Sequence, residues 1–318
     1  MPNLRLGLIE EIATLPLVYP LKAGWVGLSG VGTNLETQAV SAATAVELLD
    51  EGRLDAALIP STDYPLRARS LRLLPFGLTS EKRGNAALVG LRRIDLLDKE
   101  RVAIGLAANP TQPLLRVLLR RYFTIEMTPR AEELPWRELP AQEELGIDDW
   151  EKSRAVLLLG DEALAALAII PTYPRTEQPE QQITVEDLNR SWWIMSGVTY
   201  TVYLLAVRRD YAEANRDVTH ALAAACRDAI RVGNEQRASI LQVAGERARA
   251  AGFEMEPIAA ADFYAEQRYE FTPAQGGALM AFYSYASALK LIPQPAALNI
   301  VELAARIVQM QPANRTKV

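Results

Sequence analysis

Short apolar runs that end abruptly in small polar residues recur along this chain. The first is Leu4–Ile9, followed by Thr14, Leu15 and Pro16, and the second is Leu54–Ile59, followed by Ser61 and Thr62. The second run is apolar for most of its length, as in a strand buried on both faces. Leu71–Phe76 and Ala86–Leu91 read as further strands on either side of the loop TSEKRGN. Leu35, Ala39, Ala42, Ala43, Val46 and Leu49 recur at helical spacing and predict a helix over Leu35–Asp50 that stops at Gly52. Arg101–Leu106 predicts a strand, and Leu114–Tyr122 a helix whose start carries Pro110 and Pro113, residues suited to a first turn. Ala155–Leu159 is a strand ending at Gly160 and Asp161, with Asp161 placed to cap a helix over Glu162–Ala168.

The second half of the chain is mostly helical. Leu134–Trp150 is polar and Pro-broken, and residues 171–183 are rich in Pro and Gln, so both predict irregular connections. Asp187–Trp193 is a short element and Thr199–Arg208 a strand. Ala212–Ala251 predicts two helices broken at Gly233, and Phe263–Phe271, Ala274–Leu291 and Pro293–Gln309 predict three more. Strands alternate with helices in two groups, which predicts an α/β protein of two lobes. With Ala86–Leu91 leading out of the first lobe and Thr199–Arg208 leading back, lobe one is residues 1–89 and 206–318, and lobe two is residues 90–205. Two crossing strands between two lobes predict a clamshell with its ligand in between and a helical C-terminal region.

Composition narrows the chemistry. The 318 residues are 49% hydrophobic and 23% charged, enough apolar material for sizeable cores, and the net charge is −5. No long basic run is present, which argues against nucleic acid as a partner. A single cysteine, Cys226, excludes a disulfide framework and a cysteine-based zinc site, and reads as a small buried hydrophobe on a helix. The single histidine, His220, lies on the same helical segment without a Ser or Asp motif, so neither a triad nor a transition-metal site is expected. Residues 1–20 lack a basic start followed by an unbroken apolar run, and no segment offers roughly 18 consecutive apolar residues. The expectation is a cytoplasmic protein that does not enter a membrane.

Four polar clusters stand at strand ends where α/β proteins place ligands: residues 13–16, Ser61–Thr62, residues 109–112 and Gly160–Asp161. Exposed N–H groups and hydroxyls at helix starts bind carboxylates, although each cluster taken alone is also an ordinary cap. Glu10 and Glu11 lie near the first strand end, but a carboxylate facing an anionic ligand raises the cost of binding it. Trp192, Trp193, Tyr200 and Tyr203 near the return strand read as core first and as lining of the pocket second. Tyr269, Phe271, Phe282, Tyr283 and Tyr285 read as packing or as a contact between two copies in a homodimer.

The segments RLGLIEEIATLPL, GRLDAALIPSTDY, NPTQPLLRVLL, AVLLLGDEAL and DLNRSWWIMSGVTYTVYLLAVRRD occur in this order. As a set, their order and spacing resemble those of the menaquinone-biosynthesis chorismate dehydratases of the futalosine pathway, as far as about Pro293. The resemblance implies a type II periplasmic-binding-protein-like fold without export. It implies dehydration of chorismate to 3-[(1-carboxyvinyl)oxy]benzoate, with no metal or organic cofactor and a protein that mainly holds its substrate, a substrate carboxylate taking the proton. On that reading Ser61 and Thr111 bind carboxylate, Thr14 sits in the turn over the ring, and Asn109 and Gln112 make polar contacts. Thr62 and Thr199 complete the substrate-binding set, and no catalytic residue is assigned.

The chain departs from the family pattern at pocket positions. Ala13 stands where the family has Asn. Asn109, Pro110, Thr111 and Gln112 stand where the family has Ser-x-Thr-Ser, with only Thr111 kept, Pro60–Ser61 replaces a Ser pair, and residues 196–200 replace TGLPF. The alternative is a non-catalytic cytoplasmic binding protein for a small carboxylate on the same fold.

Overall fold

The computed structural model describes residues 3–90, 93–131, 153–172 and 183–303. The expectations for residues 134–150, for 173–182 and for 304–309 lie outside the described residues. Two mixed sheets organise the chain. The first holds β1 (Asn3–Leu8), β2 (Asn34–Ala39), β3 (Ala56–Pro60), β4 (Leu71–Ser80), β10 (Tyr200–Arg208) and β11 (Gln267–Glu270), in the order β11-β4-β10-β3-β1-β2. The second holds β5 (Ala86–Gly90), β6 (Arg101–Ile104), β7 (Thr128–Arg130), β8 (Ala155–Leu159) and β9 (Thr184–Asp187), in the order β7-β6-β8-β5-β9. This is the two-lobed α/β periplasmic-binding-protein-like architecture with helices following the last long strand.

Strands β5 and β10 fall on the opposite sides of the boundaries read at 89/90 and 205/206. β5 pairs antiparallel with β8 and β9 in the second sheet, and β10 lies antiparallel between β3 and β4 in the first. The chain therefore crosses between sheets within residues 81–85 and returns between Asp187 and Tyr200. Both strands are apolar runs buried on both faces, and such a run carries no mark of which sheet will take it.

Helices α1 (Leu15–Lys22), α2 (Ala42–Asp50) and α3 (Tyr64–Arg67) belong to the first lobe; α4 (Gln112–Leu118), α5 (Asp161–Ile169) and α6 (Leu188–Ser196) lie with the second. The C-terminal part adds α7 (Arg209–Ala214), α8 (Arg216–Glu235), α9 (Arg237–Ala250), α10 (Pro257–Ala265) and α11 (Pro273–Ala288). Four local expectations change. Leu35–Asp50 splits into β2, an exposed edge strand in parallel register with β1, and α2, whose Ser41 hydroxyl accepts from the Thr44 N–H at 3.1 Å. Gly233 lies inside α8, not between helices. A Cβ there would sit 2.5 Å from the Pro16 carbonyl oxygen, so the bare Cα lets α8 settle on α1, and the helix stops at Gln236 instead.

The predicted helix Phe263–Phe271 also divides. α10 ends at Ala265, and β11 follows with Gln267 and Tyr269 buried and Arg268 and Glu270 exposed, a period of two along β4. Residues 293–303 are not helical. Their backbone pairs with Leu73, which donates to the Asn299 carbonyl and accepts from the Val301 N–H, both at 2.8 Å.

The core confirms the aromatic reading with one exception. Trp192, Tyr203, Phe282 and Tyr283 are fully buried, and Trp192 and Tyr200 both meet Phe282 edge-on, at centroid distances of 5.6 and 5.1 Å. Trp193 is exposed instead, with the Lys82 ammonium 5.1 Å above its ring. Cys226 is buried in α8. Among the described residues no helix is long and apolar enough to cross a membrane.

Candidate functional site

The ends of β1, β3, β8 and β10 meet where the two lobes touch. The turn after β1, residues 9–14, is the most heavily tied segment there. The Thr14 hydroxyl donates to the Ile9 carbonyl at 2.7 Å and accepts from the Glu11 N–H at 3.1 Å. Tyr264 donates to the Ile12 carbonyl at 2.8 Å, and Tyr269 to the Ala13 carbonyl at 2.9 Å. Arg247 of α9 donates to the Glu10 carbonyl at 2.5 Å. The Asp161 carboxylate, from the second lobe, accepts from the Ile12 N–H at 2.7 Å and from two Arg247 nitrogens at 2.9 and 3.0 Å.

Asp161 is thus not the cap of its helix. Gly160 takes that place with φ of +73°, and Asp161 opens α5 with its carboxylate turned to the other lobe. The Gly160 N–H donates to the Asn85 carbonyl at 2.7 Å, which fastens the turn to the first crossing segment. A Cβ at Gly160 would stand 2.7 Å from Glu11 Oε1, so the glycine leaves room for the Glu11 carboxyl at the start of α5.

Glu11 is the chemically distinctive group. Its Oε1 accepts from the Tyr203 hydroxyl and its Oε2 from the Asn85 amide, each at 2.7 Å. Burial, with the nearby Asp161 charge, pushes its carboxyl up to about 7, and the two hydrogen bonds and Arg247 pull the other way. Both direct donors are neutral, and Arg247 spends its guanidinium on Asp161 and Glu10. A carboxyl held this way exchanges a proton near neutrality. Tyr203 is itself pushed well above its ordinary value by burial and by the carboxylate beside it.

The residues singled out from the sequence divide into three groups. Ser61 and Thr62 are buried at the end of β3; Ser61 donates to the Thr201 carbonyl at 2.6 Å, and Thr62 reaches across the lobes to the Pro110 carbonyl at 2.9 Å. That bond brings the Ser61–Asp63 turn against the Leu106–Thr111 turn, where Thr111 is buried, Gln112 half-buried and Asn109 exposed. Thr14 lies on the Glu11 turn, and Thr199 is half-buried just before β10. The hydroxyls of Thr14, Ser61 and Thr62 all donate to main-chain carbonyls. Glu11 and its partners Tyr203, Asn85 and Arg247 form the part of the site that sequence reasoning did not assign. The one local signal was the Glu10–Glu11 pair breaking the apolar pattern at a strand end; nothing local marks Asn85 or Arg247.

A menaquinone-biosynthesis family profile matches residues 4–288. The chain belongs to this family. Its function therefore lies in menaquinone biosynthesis. Among solved structures, protein AF1704 from Archaeoglobus fulgidus shares the fold with a TM-score of 0.66 at 18% identity, over 91% of this chain and 98% of that one. The alkanesulfonate-binding protein SsuA from Xanthomonas axonopodis pv. citri, bound to MOPS, has a TM-score of 0.63 at 15% identity, over 95% and 98% of the two chains. The Candida albicans CA3427 gene product, described as having the generic periplasmic binding protein fold, has a TM-score of 0.64 at 12% identity, over 95% and 97%. These likenesses show the fold and leave the chemistry to the site.

Proposed function

We propose that this protein is a hydro-lyase that dehydrates chorismate to 3-[(1-carboxyvinyl)oxy]benzoate. The observation that carries the reading is the family match over residues 4–288, which spans both lobes and the seam between them. The reaction suits such a seam. Chorismate is a dianion whose ring becomes aromatic once a hydrogen and a hydroxyl leave, so the protein has to hold and orient it and handle one proton. The substrate would lie between the Glu11–Thr14 turn, the Ser61–Asp63 turn and residues 106–112. Thr111, Gln112 and Asn109 would offer polar contacts, with Thr14, Ser61, Thr62 and Thr199 shaping the turns. The reading places the protein in the cytoplasm and asks for no metal or organic cofactor.

A second reading, a binding protein for a small carboxylate, is favoured by Ala13 and Gln112, which depart from the family's pocket pattern. Incubation of the purified protein with chorismate, followed by chromatography, decides between them. The lyase reading expects chorismate to disappear as the benzoate forms in equal amount. Chorismate that stays intact while raising the melting temperature would leave the binding-protein reading in its place.

A further inference from the structure

We propose that a basic cavity between α4 and the end of α11 is a second binding site, and that it takes a dianion with an apolar body, the chemistry of an aromatic dicarboxylate. The cavity measures about 560 Å³. None of the residues that line it belongs to the seam around Glu11 or to the Ser61 and Thr111 turns. Arg116 reaches it from α4, Arg120 from the turn that continues α4, and Lys290 from the turn after α11. Leu119, Ile125 and Met127 supply apolar lining on one side, and Leu289 and Leu291 on the other. Arg120 pairs with Glu126 at 2.8 Å, whereas neither Arg116 nor Lys290 has a side-chain ion pair or hydrogen bond among the described residues. The lining thus carries three cations against the single Glu126 carboxylate, in a chain whose net charge is −5. Two positive charges are left without a partner, and a dianion meets both.

Cations near a helix end ordinarily bond its free carbonyls, which Arg116 and Lys290 do not. Backbone strain gathers at the same place. Lys99, Thr124 and Lys290, with φ of +61°, +57° and +57°, are the three non-glycine residues of positive φ among the described residues. Thr124 precedes Ile125 of the lining, Lys290 stands where a helix end favours glycine, and the Lys99 N–H donates to the Glu126 carbonyl at 2.6 Å. A side chain in this region is held there against a steric cost, and such positions cluster at ligand sites. Helix α4 also widens into a π-helical turn over Leu119–Phe123, an irregularity frequent at functional sites. From that turn Arg121 stacks on Tyr285 of α11, its guanidinium carbon 4.1 Å from the ring centroid, so the two walls of the cavity are already joined. The Arg116 guanidinium offers a carboxylate two parallel donors, and the Lys290 ammonium offers a point charge. Because α4 lies with the second lobe and α11 packs on β10 of the first sheet, a ligand seated here touches both lobes and favours the arrangement in which they meet.

Isothermal titration calorimetry with naphthalene-2,6-dicarboxylate tests the site on wild type, Lys290→Gly and Arg116→Gln. Lys290→Gly removes the charge and gives the backbone the residue its φ favours, so the fold is kept. Wild type should bind the dicarboxylate, and each variant should bind it at least about 10-fold more weakly, as expected for the loss of one charge-assisted contact. The neutral diamide of the same ring should not bind. In wild type the dicarboxylate should also slow hydrogen exchange at the Ile125 and Leu291 amides, which lie on the two walls. Dicarboxylate binding that both variants match within a few-fold would place the ligand elsewhere and overturn the proposal. Equal binding of the diamide, or a wild type that binds no dicarboxylate, would overturn it too, and neither result bears on the dehydration of chorismate.

Discussion

Glu11 shows how one residue's surroundings set both stability and chemistry. Its carboxyl holds its proton more tightly folded than unfolded, with the folded value near 7 against an ordinary 4.5. Between those pH values the folded state binds more protons, so this group's contribution falls as pH rises, by about 3 kcal/mol in all. Glu11→Gln should therefore flatten the melting temperature against pH and be more stable than wild type at pH 8, as scanning calorimetry would read. Equal curves for the two proteins would mean that the carboxyl is better solvated than its burial indicates. From the sequence, Glu11 was legible only as a charge out of place. Its significance depends on Tyr203, 192 positions away, and on Asn85, 74 positions away.

At the scale of elements, local rules worked for fully apolar strands and for a long helix, and failed where distant partners decide. β3, β8 and α11 lie close to where their residue patterns put them. The Leu35–Ala39 stretch fits a helix as well as a strand, since a spacing of four satisfies both periods, and parallel pairing with β1 selects the strand. Gly233 is a similar case. It reads as a helix break, yet it serves the contact of α8 with Pro16. Gly233→Ala should press a methyl group onto a main-chain carbonyl and cost about 1–3 kcal/mol in urea unfolding, although alanine favours the helix itself. A neutral or stabilising result would show that the two helices part without cost.

For the whole molecule, the lobes meet through apolar as well as polar contacts, with Trp192 of α6 packed on Phe282 of α11. Thr62 to Pro110, Ile12 to Asp161, and Arg247 to Asp161 hold the two sides together around the Glu11 carboxyl. Asp161→Ala leaves the Ile12 N–H and the Arg247 guanidinium without that partner. Hydrogen exchange should then speed up at the Ile12 amide, with protection in the β3 and β10 core unchanged. Unaltered exchange at Ile12 would show that Asp161 does not hold the lobes together.

By itself the sequence determined the α/β class, two lobes joined by two crossings, the buried aromatic cluster around Trp192 and the family to which the chain belongs. Each of these follows from local hydrophobic period or from ordered segments, which a linear chain displays directly. Only the tertiary structure decided that β5 and β10 exchange sides, that Asp161 ties the lobes together, and that Glu11 is buried against Tyr203 and Asn85. Strand partners, buried charges and their proton affinities depend on desolvation and on groups far apart in the chain, and those are created only when the two lobes come together.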